Sequence, residues 1–402
     1  MLNCSIIGLG YIGLPTATII AKNGIKVNGI DTNKEVVEAV NNSIPHIKEK
    51  GIENNLKEAI STGNFRAFSS PQESDIYIFA VPTPTKEENN SLPNADTSLL
   101  IKAFKSVMPL IKKNDLIIIE STSPVGTTKK ISEIFFDNTN FEPKDIHFVY
   151  CPERVIPGNM LTELVLNDRV IGGLTEEATN LAVNFYARFC KGKLFKTSAS
   201  SAEFVKLAEN AYRDVNIAFA NELSIVAKNL ELDILELISL ANRHPRVKIL
   251  NPGCGVGGHC IAVDPWFLAS ASPENTPLIQ TARKVNDNKL NWVFEQILSE
   301  IKKIETNLGR KPIVGCFGIT FKADVDDLRG SPAISIINKL INEGIEVLIN
   351  EPNLKKHTTF KLFSIQDILK KSDLNVFLVN HTEYQNLNLN NNNVLDFCGI
   401  KK

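Results

Sequence analysis

The sequence has no long hydrophobic run and no excess of basic charge. Its 402 residues include 44 Lys and Arg against 45 Asp and Glu, whereas a nucleic-acid-binding protein usually carries a basic excess. No stretch approaches the roughly 18 consecutive apolar residues that a membrane helix needs. The apolar start at Ile6, Ile7 and Leu9 is broken by glycines and lacks a cationic flank. We therefore expect neither nucleic acid nor a membrane as a partner.

The sequence also lacks a cysteine framework. Its seven cysteines are odd in number and scattered, at positions 4, 151, 190, 254, 260, 316 and 398. This usage fits a reducing compartment, so we expect a cytoplasmic protein. His259 and Cys260 are adjacent, but no spacing matches a structural zinc site, and no metal is expected. With 43% hydrophobic and 22% charged residues, the chain is typical of globular proteins, and its length predicts two or three domains.

The N-terminal segment predicts a dinucleotide-binding unit. An apolar strand, Cys4 to Ile7, leads into a Gly-x-Gly-x-x-Gly turn, a helix and a second strand that ends in Asp31. The glycines allow a tight turn, close approach of a pyrophosphate and close packing of helix on strand. A carboxylate at Asp31 would accept hydrogen bonds from a ribose, which favours NAD over NADP. The candidate cofactor contacts in the turn are Gly8, Gly10, Tyr11, Ile12 and Gly13.

Three further strands are predicted at 76–81, 116–120 and 146–150, with helical spacers between them. This alternation predicts a doubly wound parallel sheet, in which ligands bind at the carboxyl ends of the strands. All three strands end in polar or turn-forming residues, which proline turns alone could also explain. The candidate residues at these ends are Val81, Pro82, Thr83, Thr122, Glu153, Arg154 and Val155.

After about residue 197 the pattern becomes helical. Residues 201–229 predict a long buried helix, on which Lys206 and Asn210 share one face. From periodicity alone, the two are a snorkelling surface pair or a polar site at a crevice. A second α/β segment follows, with strands predicted at 313–317, 346–349 and 374–379 and a helix at 333–343. The asparagine-rich run Asn386 to Asn393 predicts an exposed loop.

A glycine-rich loop, residues 253–264, contains Cys260 and ends at Asp264. Glycines allow the backbone to approach a ligand, a thiolate attacks carbonyl carbon, and a carboxylate can orient or deprotonate water. An inert buried cysteine is the alternative, but a core strand would not be built from four glycines. An NAD site with a reactive cysteine suggests aldehyde oxidation through a thiohemiacetal and a thioester.

The motifs around this loop resemble those of the UDP-glucose/GDP-mannose dehydrogenase family, and the resemblance covers essentially the whole chain. The strings Gly258 to Phe267, Arg213 to Glu222 and Asn242 to Val247 are most similar to the members that oxidise UDP-N-acetyl-D-mannosamine. The resemblance implies two Rossmann-like doubly wound domains joined by a central helical domain with a long helix. We place an NAD-binding domain at 1–198, a helical dimerisation domain at 199–305 and a UDP-sugar-binding domain at 306–402.

The resemblance also implies a four-electron oxidation of a sugar C6 alcohol to a carboxylate, with two NAD+ reduced in turn. Cys260 would form the thiohemiacetal and the thioester, and Lys206 and Asn210 would stabilise the oxyanion. Asp264 would act on water with help from Thr122, and Glu153 would be an acid or base. The resemblance further implies that Lys322 and Arg329 belong to a C-terminal domain that closes on substrate and cofactor, and that Gly257 and Phe321 contact the substrate. It also implies a homodimer or larger assembly, in which Arg246 reaches the nucleotide sugar of a neighbouring subunit.

Three positions depart from the family pattern. Cys254 replaces a usual proline, Gly330 replaces an acidic residue that follows the arginine in many members, and Pro157 replaces a glutamate of UDP-glucose enzymes. Pro157 argues against UDP-glucose as the substrate, and Gly330 leaves open which residue anchors Arg329. UDP-N-acetyl-D-glucosamine is the alternative substrate, since few hydrogen bonds distinguish C2 epimers. A catalytically silent NAD-binding protein is the alternative from a different class.

Overall fold

A computed structural model describes residues 2–86, 92–389 and 393–400. The chain forms two compact units, Met1–Glu209 with Trp266–Ala271 and Asn210–Pro265 with Ser272–Lys402. Within the described ranges, no helix is both long enough and apolar enough to cross a membrane. Of the predicted loop at 386–393, Asn386 and Asn388 are exposed, Leu389 is buried, and residues 390–392 lie outside the described residues.

The first unit is built on an eight-stranded sheet with the order β10-β9-β8-β7-β4-β1-β2-β3. Its neighbouring strands are parallel except for β8 and β9, which pair antiparallel. The strands are β1 Asn3–Ile7, β2 Lys26–Ile30, β3 Phe65–Phe68, β4 Ile76–Phe79, β7 Leu116–Ile119, β8 His147–Tyr150, β9 Arg169–Gly173 and β10 Leu194–Ser198, and the small hairpin β5 Thr85–Lys86 with β6 Asn94–Ala95 lies outside this sheet.

Helices cover both faces of this sheet because successive strand residues are apolar on both sides. Ile6 and Ile118 belong to one buried cluster, whereas Ile7 and Ile119 belong to the cluster on the opposite face. The α-helices of this part of the chain are α1 Gly13–Lys22, α2 Lys34–Asn41, α3 Ile52–Ser61, α4 Ser98–Val107, α5 Thr127–Asp137, α6 Met160–Leu166 and α7 Glu176–Tyr186. The doubly wound fold class is therefore confirmed for this unit.

The second unit contains a four-stranded parallel sheet with the order β12-β11-β13-β14. Buried clusters again lie on both faces, with Cys316 in one and Phe317 in the other. The strands are β11 Val314–Phe317, β12 Val347–Asn350, β13 Leu374–Phe377 and β14 Val394–Asp396. The remaining helices are α8 Ala199–Asn229, α9 Ile234–Ala241, α10 Asp264–Ala271, α11 Pro277–Leu308, α12 Pro332–Asn342 and α13 Ile365–Lys371. The predicted second α/β segment and long helix are thus both present.

One detail of the helix prediction is wrong. The sequence predicts that α8 is buried, but its side chains Phe204, Phe219 and Val226 are 53%, 51% and 48% exposed. A continuous apolar pattern does not reveal which of its faces packs inside the same chain. Exposed aromatic side chains on a long helix instead indicate a surface that another molecule can cover.

Candidate functional site

The glycine-rich turn after β1 has the geometry that a dinucleotide needs. Gly8 has a φ of +95°, and a Cβ there would lie 2.8 Å from the carbonyl oxygen of Ala80. A Cβ on Gly13, the first residue of α1, would lie 1.8 Å from the Gly8 carbonyl oxygen. A Cβ on Gly10 would meet no atom within 4 Å. The outer two glycines therefore allow the turn to pack, and Gly10 leaves open space before the amino terminus of α1 for a pyrophosphate.

Asp31 directly follows β2 and is tied to the same turn. Its Oδ2 accepts a hydrogen bond from the Leu9 amide at 3.0 Å, and its Oδ1 accepts one from the Asn33 amide at 2.9 Å. The carboxylate is thus oriented next to the turn that contains the half-buried Tyr11 and Ile12. A fixed carboxylate at the end of the second strand can accept hydrogen bonds from a ribose. These residues therefore fit NAD.

The ends of β4 and β7 are neighbours, because the two strands pair directly. The Thr83 hydroxyl donates to the Thr122 carbonyl at 2.5 Å, and the Ser121 hydroxyl donates to the Val81 carbonyl at 2.7 Å. Val81, Thr83 and Thr122 are half-buried, whereas Pro82 is exposed. These bonds hold the two strand ends together, so the polar residues after them form one surface of the unit.

The end of β8 places a buried carboxyl group beside Lys206. Glu153 is 7% exposed, and its Oε1 has no hydrogen-bond partner among the described residues. Burial raises the pKa of Glu153, and the positive charge of Lys206 opposes that rise. Lys206, half-buried on α8, donates from Nζ to the Glu153 carbonyl oxygen at 2.7 Å. Lys206 is therefore not a solvated surface lysine, and Glu153 is suited to hold a proton.

The two residues that follow Glu153 are half-buried. The Arg154 guanidinium donates to Glu209 of α8 at 3.1 Å and to the Asp168 carbonyl at 3.0 Å. Arg154 thereby links the end of β8 to α8, and the next residue, Val155, packs at the edge of a buried cluster. The segment is fixed at both its polar and its apolar positions.

The loop with Cys260 lies in the second unit. Cys260 is exposed, and its carbonyl oxygen accepts hydrogen bonds from the amides of Val263 at 3.0 Å and Asp264 at 2.8 Å. Asp264, the first residue of α10, is only 2% exposed. Its Oδ2 accepts a hydrogen bond from Nδ2 of the buried Asn210 at 2.5 Å. The structure thus combines an accessible thiol with a buried, oriented carboxylate one helical turn away.

The other cysteine of the loop has a different environment. Cys254 is 5% exposed and donates from Sγ to the Leu378 carbonyl at 3.4 Å. Burial raises the pKa of its thiol to about 12, so it is not a nucleophile near neutral pH. No disulfide joins cysteines within the described residues.

The rest of the glycine loop packs on the segment after β11. A Cβ on Gly257 would lie 2.5 Å from the Gly330 carbonyl oxygen, and one on Gly258 would lie 2.9 Å from the Phe321 ring. The Gly258 amide donates to the Arg329 carbonyl at 3.1 Å. Phe321 and Lys322 are half-buried, so this segment is not a solvated charged loop.

Asp327 anchors Arg329. Its carboxylate accepts from Arg329 Nε at 2.9 Å and from Nη2 at 2.6 Å, and these bonds help to lower the Asp327 pKa against the effect of burial. Gly330 has a φ of +61°, a conformation that disfavours an acidic side chain. The acidic partner therefore precedes the arginine in this chain. Arg246, in contrast, lies on an exposed segment after α9.

Glu203 is a structural link near the candidate site residues that cannot be found from the sequence. Its buried carboxylate, on α8, accepts hydrogen bonds from the Gly126 amide at 2.6 Å and the Thr128 amide at 2.8 Å. These amides lie at the amino terminus of α5, where a negative charge is favourable. Glu203 thereby attaches the segment after β7, which includes Thr122, to the helix that carries Lys206. No local sequence signal identifies it, because its partners lie about 75 residues away.

The described residues contain no group of three or more His, Cys, Asp or Glu side chains placed to hold a metal ion. The donors at the glycine-rich turn instead suit a dinucleotide. A doubly wound sheet with such a turn and an oriented carboxylate after its second strand is a dinucleotide-binding domain of the kind found in NAD-dependent oxidoreductases.

Three sequence models of one family match almost the whole chain. The NAD binding domain of the UDP-glucose/GDP-mannose dehydrogenase family matches residues 2–190, its central domain 200–288 and its UDP binding domain 315–400. The chain therefore belongs to the UDP-glucose/GDP-mannose dehydrogenase family. It is an NAD-dependent nucleotide-sugar dehydrogenase.

Individual relatives support this assignment. The chain is 45% identical to a UDP-N-acetyl-D-mannosamine dehydrogenase from Campylobacter jejuni, over 98% of both chains. It is 43% identical to an NDP-N-acetyl-D-galactosaminuronic acid dehydrogenase from Ralstonia nicotianae, over 95% of this chain and 92% of the relative. A solved UDP-D-ManNAc dehydrogenase from Pyrococcus horikoshii is 36% identical, with a TM-score of 0.92 over 100% of this chain and 96% of that one.

Proposed function

We propose that this chain oxidises the C6 hydroxyl of UDP-N-acetyl-D-mannosamine to the carboxylate through a thioester on Cys260. The observation that carries the chemistry is the exposed Cys260 thiol. It lies one helical turn before the buried carboxylate of Asp264, to which Asn210 donates a hydrogen bond. The names of two relatives support the substrate, since the Campylobacter and Pyrococcus enzymes bear the N-acetylmannosamine name. NAD+, held by the glycine-rich turn after β1 and by Asp31, would supply the hydride acceptor for each of the two oxidations at C6.

The first oxidation converts the alcohol to an aldehyde and needs stabilisation of the oxygen at C6. Lys206 and Asn210 lie four residues apart on α8, on one face, and offer an ammonium and an amide as donors. One Lys206 donor is used by the Glu153 carbonyl, which orients the ammonium group. The same pair would stabilise the oxyanions of the second oxidation.

In the second oxidation the Cys260 sulfur adds to the aldehyde carbon, and the carbonyl oxygen becomes the hydroxyl of a thiohemiacetal. Loss of a hydride from C6 and of the hydroxyl proton gives a thioester. Water then adds to the thioester carbon and the C–S bond breaks. One proton of the water returns to the Cys260 sulfur, the other is lost, and the carboxylate is released. The accessibility of Cys260 supports this role, because an incoming carbonyl carbon must reach its sulfur.

We assign the activation of that water to Asp264, which the Asn210 amide holds in one orientation. Thr122 would help to hold the water through its hydroxyl. Glu153 is the candidate proton donor or acceptor, since burial raises its pKa and its Oε1 lacks a hydrogen-bond partner within the described chain.

The remaining contacts divide between cofactor and substrate. The turn after β1, Asp31, the strand-end residues 81–83 and Arg329 would hold NAD, and Arg154, Val155, Gly257, Phe321 and Lys322 would hold the UDP-sugar. We keep 1–198, 199–305 and 306–402 as the cofactor-binding, helical and UDP-sugar-binding domains. The protein would act in the cytoplasm.

We also propose that the enzyme is a homodimer through α8. This helix exposes an apolar stripe, formed by Phe204, Tyr212, Phe219 and Val226, of which Tyr212 is 69% exposed, and Leu230 directly after the helix is exposed as well. Light scattering should give about twice the 44.5 kDa of one chain. The Phe219→Glu variant should shift the mass toward one chain, whereas Leu99→Glu, at an exposed leucine of α4, should not. If the wild-type protein has the mass of one chain, the dimer is refuted. The proposed contact of Arg246 with the nucleotide sugar of a neighbouring subunit is then refuted as well.

An NADH assay with purified UDP-sugars tests the substrate. We expect two NADH per UDP-N-acetyl-D-mannosamine, with a kcat/KM at least about tenfold above that for UDP-N-acetyl-D-glucosamine, because hydrogen bonds to one epimer are lost with the other. UDP-glucose serves as the control that lacks the acetamido group. NADH production with only the gluco epimer would refute the substrate, and none with any sugar would favour a silent NAD-binding protein.

A galactosamine substrate is a second candidate. The Ralstonia relative, named for N-acetyl-D-galactosaminuronic acid, is 43% identical, close to the 45% of the Campylobacter enzyme. UDP-N-acetyl-D-galactosamine therefore belongs in the same assay, and the highest kcat/KM identifies the substrate.

A further inference from the structure

Both ends of the glycine-rich loop with Cys260 are hydrogen-bonded to one face of α8. At the carboxyl end, Asn210 donates to Asp264 at 2.5 Å. At the amino end, the Gly253 amide donates to Asn221 Oδ1 at 2.9 Å. Asn210 and Asn221 are three helical turns apart, so they project from the same side of the helix. α8 therefore fixes the start of the loop as well as its end.

A buried chain of hydrogen bonds orients Asn221. Its Nδ2 donates to Asn286 Oδ1 of α11 at 2.8 Å, and Asn286 Nδ2 donates to Asp214 Oδ1 at 2.8 Å and to the Asp214 carbonyl at 3.0 Å. Arg283 donates from Nη1 to Asp214 Oδ1 at 2.6 Å. All four side chains are at most 2% exposed. The network thus lies within the packed interior of the second unit.

The order of donors and acceptors along these hydrogen bonds is fixed. The Gly253 amide can only donate, so Asn221 must present its oxygen there and its amide nitrogen to Asn286. Asn286 must then donate to the oxygens of Asp214. An amide is required at both positions, because a carboxylate at either one would leave two acceptors facing each other.

The loop also packs directly on α11. A Cβ on Gly255, which has a φ of +136°, would lie 3.2 Å from the Asn286 carbonyl oxygen. The glycines at 253, 255, 257 and 258 give the loop little conformational preference of its own. Its position must therefore come from contacts outside it, and the Asn221 contact is the first along the chain.

We propose that Asn221 and Asn286 are positioning residues that set the place of the Cys260 sulfur for the second oxidation. The proposal rests on the proposed function of Cys260. A nucleophile displaced by about 1 Å can lose about 100-fold in rate, while substrate binding elsewhere is retained. Loss of the Asn221 contact should thus impair the thiol step more than the alcohol step, and the aldehyde should escape.

The variants Asn221→Asp and Asn286→Asp test this with almost no change in size. We expect kcat for acid formation to fall about 10- to 100-fold, with KM within about threefold of wild type. The fraction of product trapped as aldehyde by hydroxylamine should rise. The rate of Cys260 alkylation by iodoacetamide, followed by mass spectrometry, should change at least about threefold. If an aspartate variant does not fold, Asn221→Ala removes the same contact without adding charge.

Ser224→Ala is the matched control. Ser224 lies on α8, three residues after Asn221, and is buried. Its hydroxyl accepts a hydrogen bond from Lys289 at 2.6 Å and donates to the backbone carbonyl of Asn221 at 2.6 Å, and both partners lie outside the loop and outside the side-chain network of Asn221. We expect this variant to lower the melting temperature by about 4 °C while leaving the aldehyde fraction and the Cys260 alkylation rate unchanged. A purely structural role of Asn221 would give the same result as this control.

Two results would overturn the proposal. In the first, the Asn221 and Asn286 variants fold, their Cys260 alkylation rates equal that of wild type, and they release no aldehyde. In the second, the rate of acid formation falls only as far as the melting temperature falls, as in Ser224→Ala. If Cys260→Ser forms acid at the wild-type rate, the proposed function fails instead. Even then, the alkylation rates decide whether Asn221 and Asn286 position the sulfur.

Discussion

Cys260→Ser should almost abolish acid formation while substrate binding persists. We expect kcat for the carboxylate to fall by a factor on the order of 10⁴ to 10⁶, as is typical when a nucleophile is removed. A serine hydroxyl is far less acidic than a thiol and a much weaker nucleophile, so serine at this exposed position should not form the covalent intermediate. The measurements are chromatographic quantification of the acid and a binding titration with the UDP-sugar.

Cys254→Ser is the matched control for this prediction. The residue lies in the same loop, but it is buried, burial raises the pKa of its thiol to about 12, and its Sγ donates to the Leu378 backbone carbonyl. Serine can donate the same bond, so acid formation should stay within about threefold of wild type, with some loss of stability. A Cys260→Ser enzyme that forms acid normally would refute the thioester.

The local parts of the fold could be predicted from the sequence. The turn after β1 follows from three glycines whose spacing meets distinct steric needs, and the observed φ of Gly8 and the close contact of Gly13 show those needs directly. The apolar runs at β4, β7 and β8 likewise mark strands that are buried on both faces. Such signals lie within a few residues, so one sequence contains them completely.

Other strands carry no such signal. β3 alternates buried and more exposed residues over only four positions, β10 has no buried residue among its five, and β9 pairs antiparallel with β8 inside an otherwise parallel sheet. Short half-buried segments of this kind cannot be distinguished from loops by periodicity. Their pairing depends on neighbours that are distant in sequence.

The contacts that orient the candidate site could not be predicted for the same reason. Asn210 meets Asp264 across 54 residues, and Glu203 reaches the start of α5 across about 75. The sequence shows only that Lys206 and Asn210 share one face, and periodicity alone also allows a snorkelling surface pair. The buried carbonyl contact of Lys206 shows why that interpretation fails: the polar head is held by the end of β8.

Asp264→Asn should have the opposite effect on the covalent intermediate from Cys260→Ser. The asparagine retains an oxygen that can accept the Asn210 bond, so the start of α10 should keep its geometry. Without a carboxylate to deprotonate water, hydrolysis of the thioester should slow by about 10² to 10⁴-fold. The enzyme should release a burst of NADH and then accumulate a Cys260 adduct that intact-protein mass spectrometry detects.

Glu153→Gln distinguishes the two carboxyl groups. We assign activation of the hydrolytic water to Asp264 and proton transfer in the other steps to Glu153, whose protonated form burial favours by raising its pKa. We therefore expect Glu153→Gln to turn over slowly without accumulating the adduct. If Glu153→Gln accumulates the thioester and Asp264→Asn does not, the base for hydrolysis is Glu153, and the buried Asn210–Asp264 pair only fixes the position of the loop.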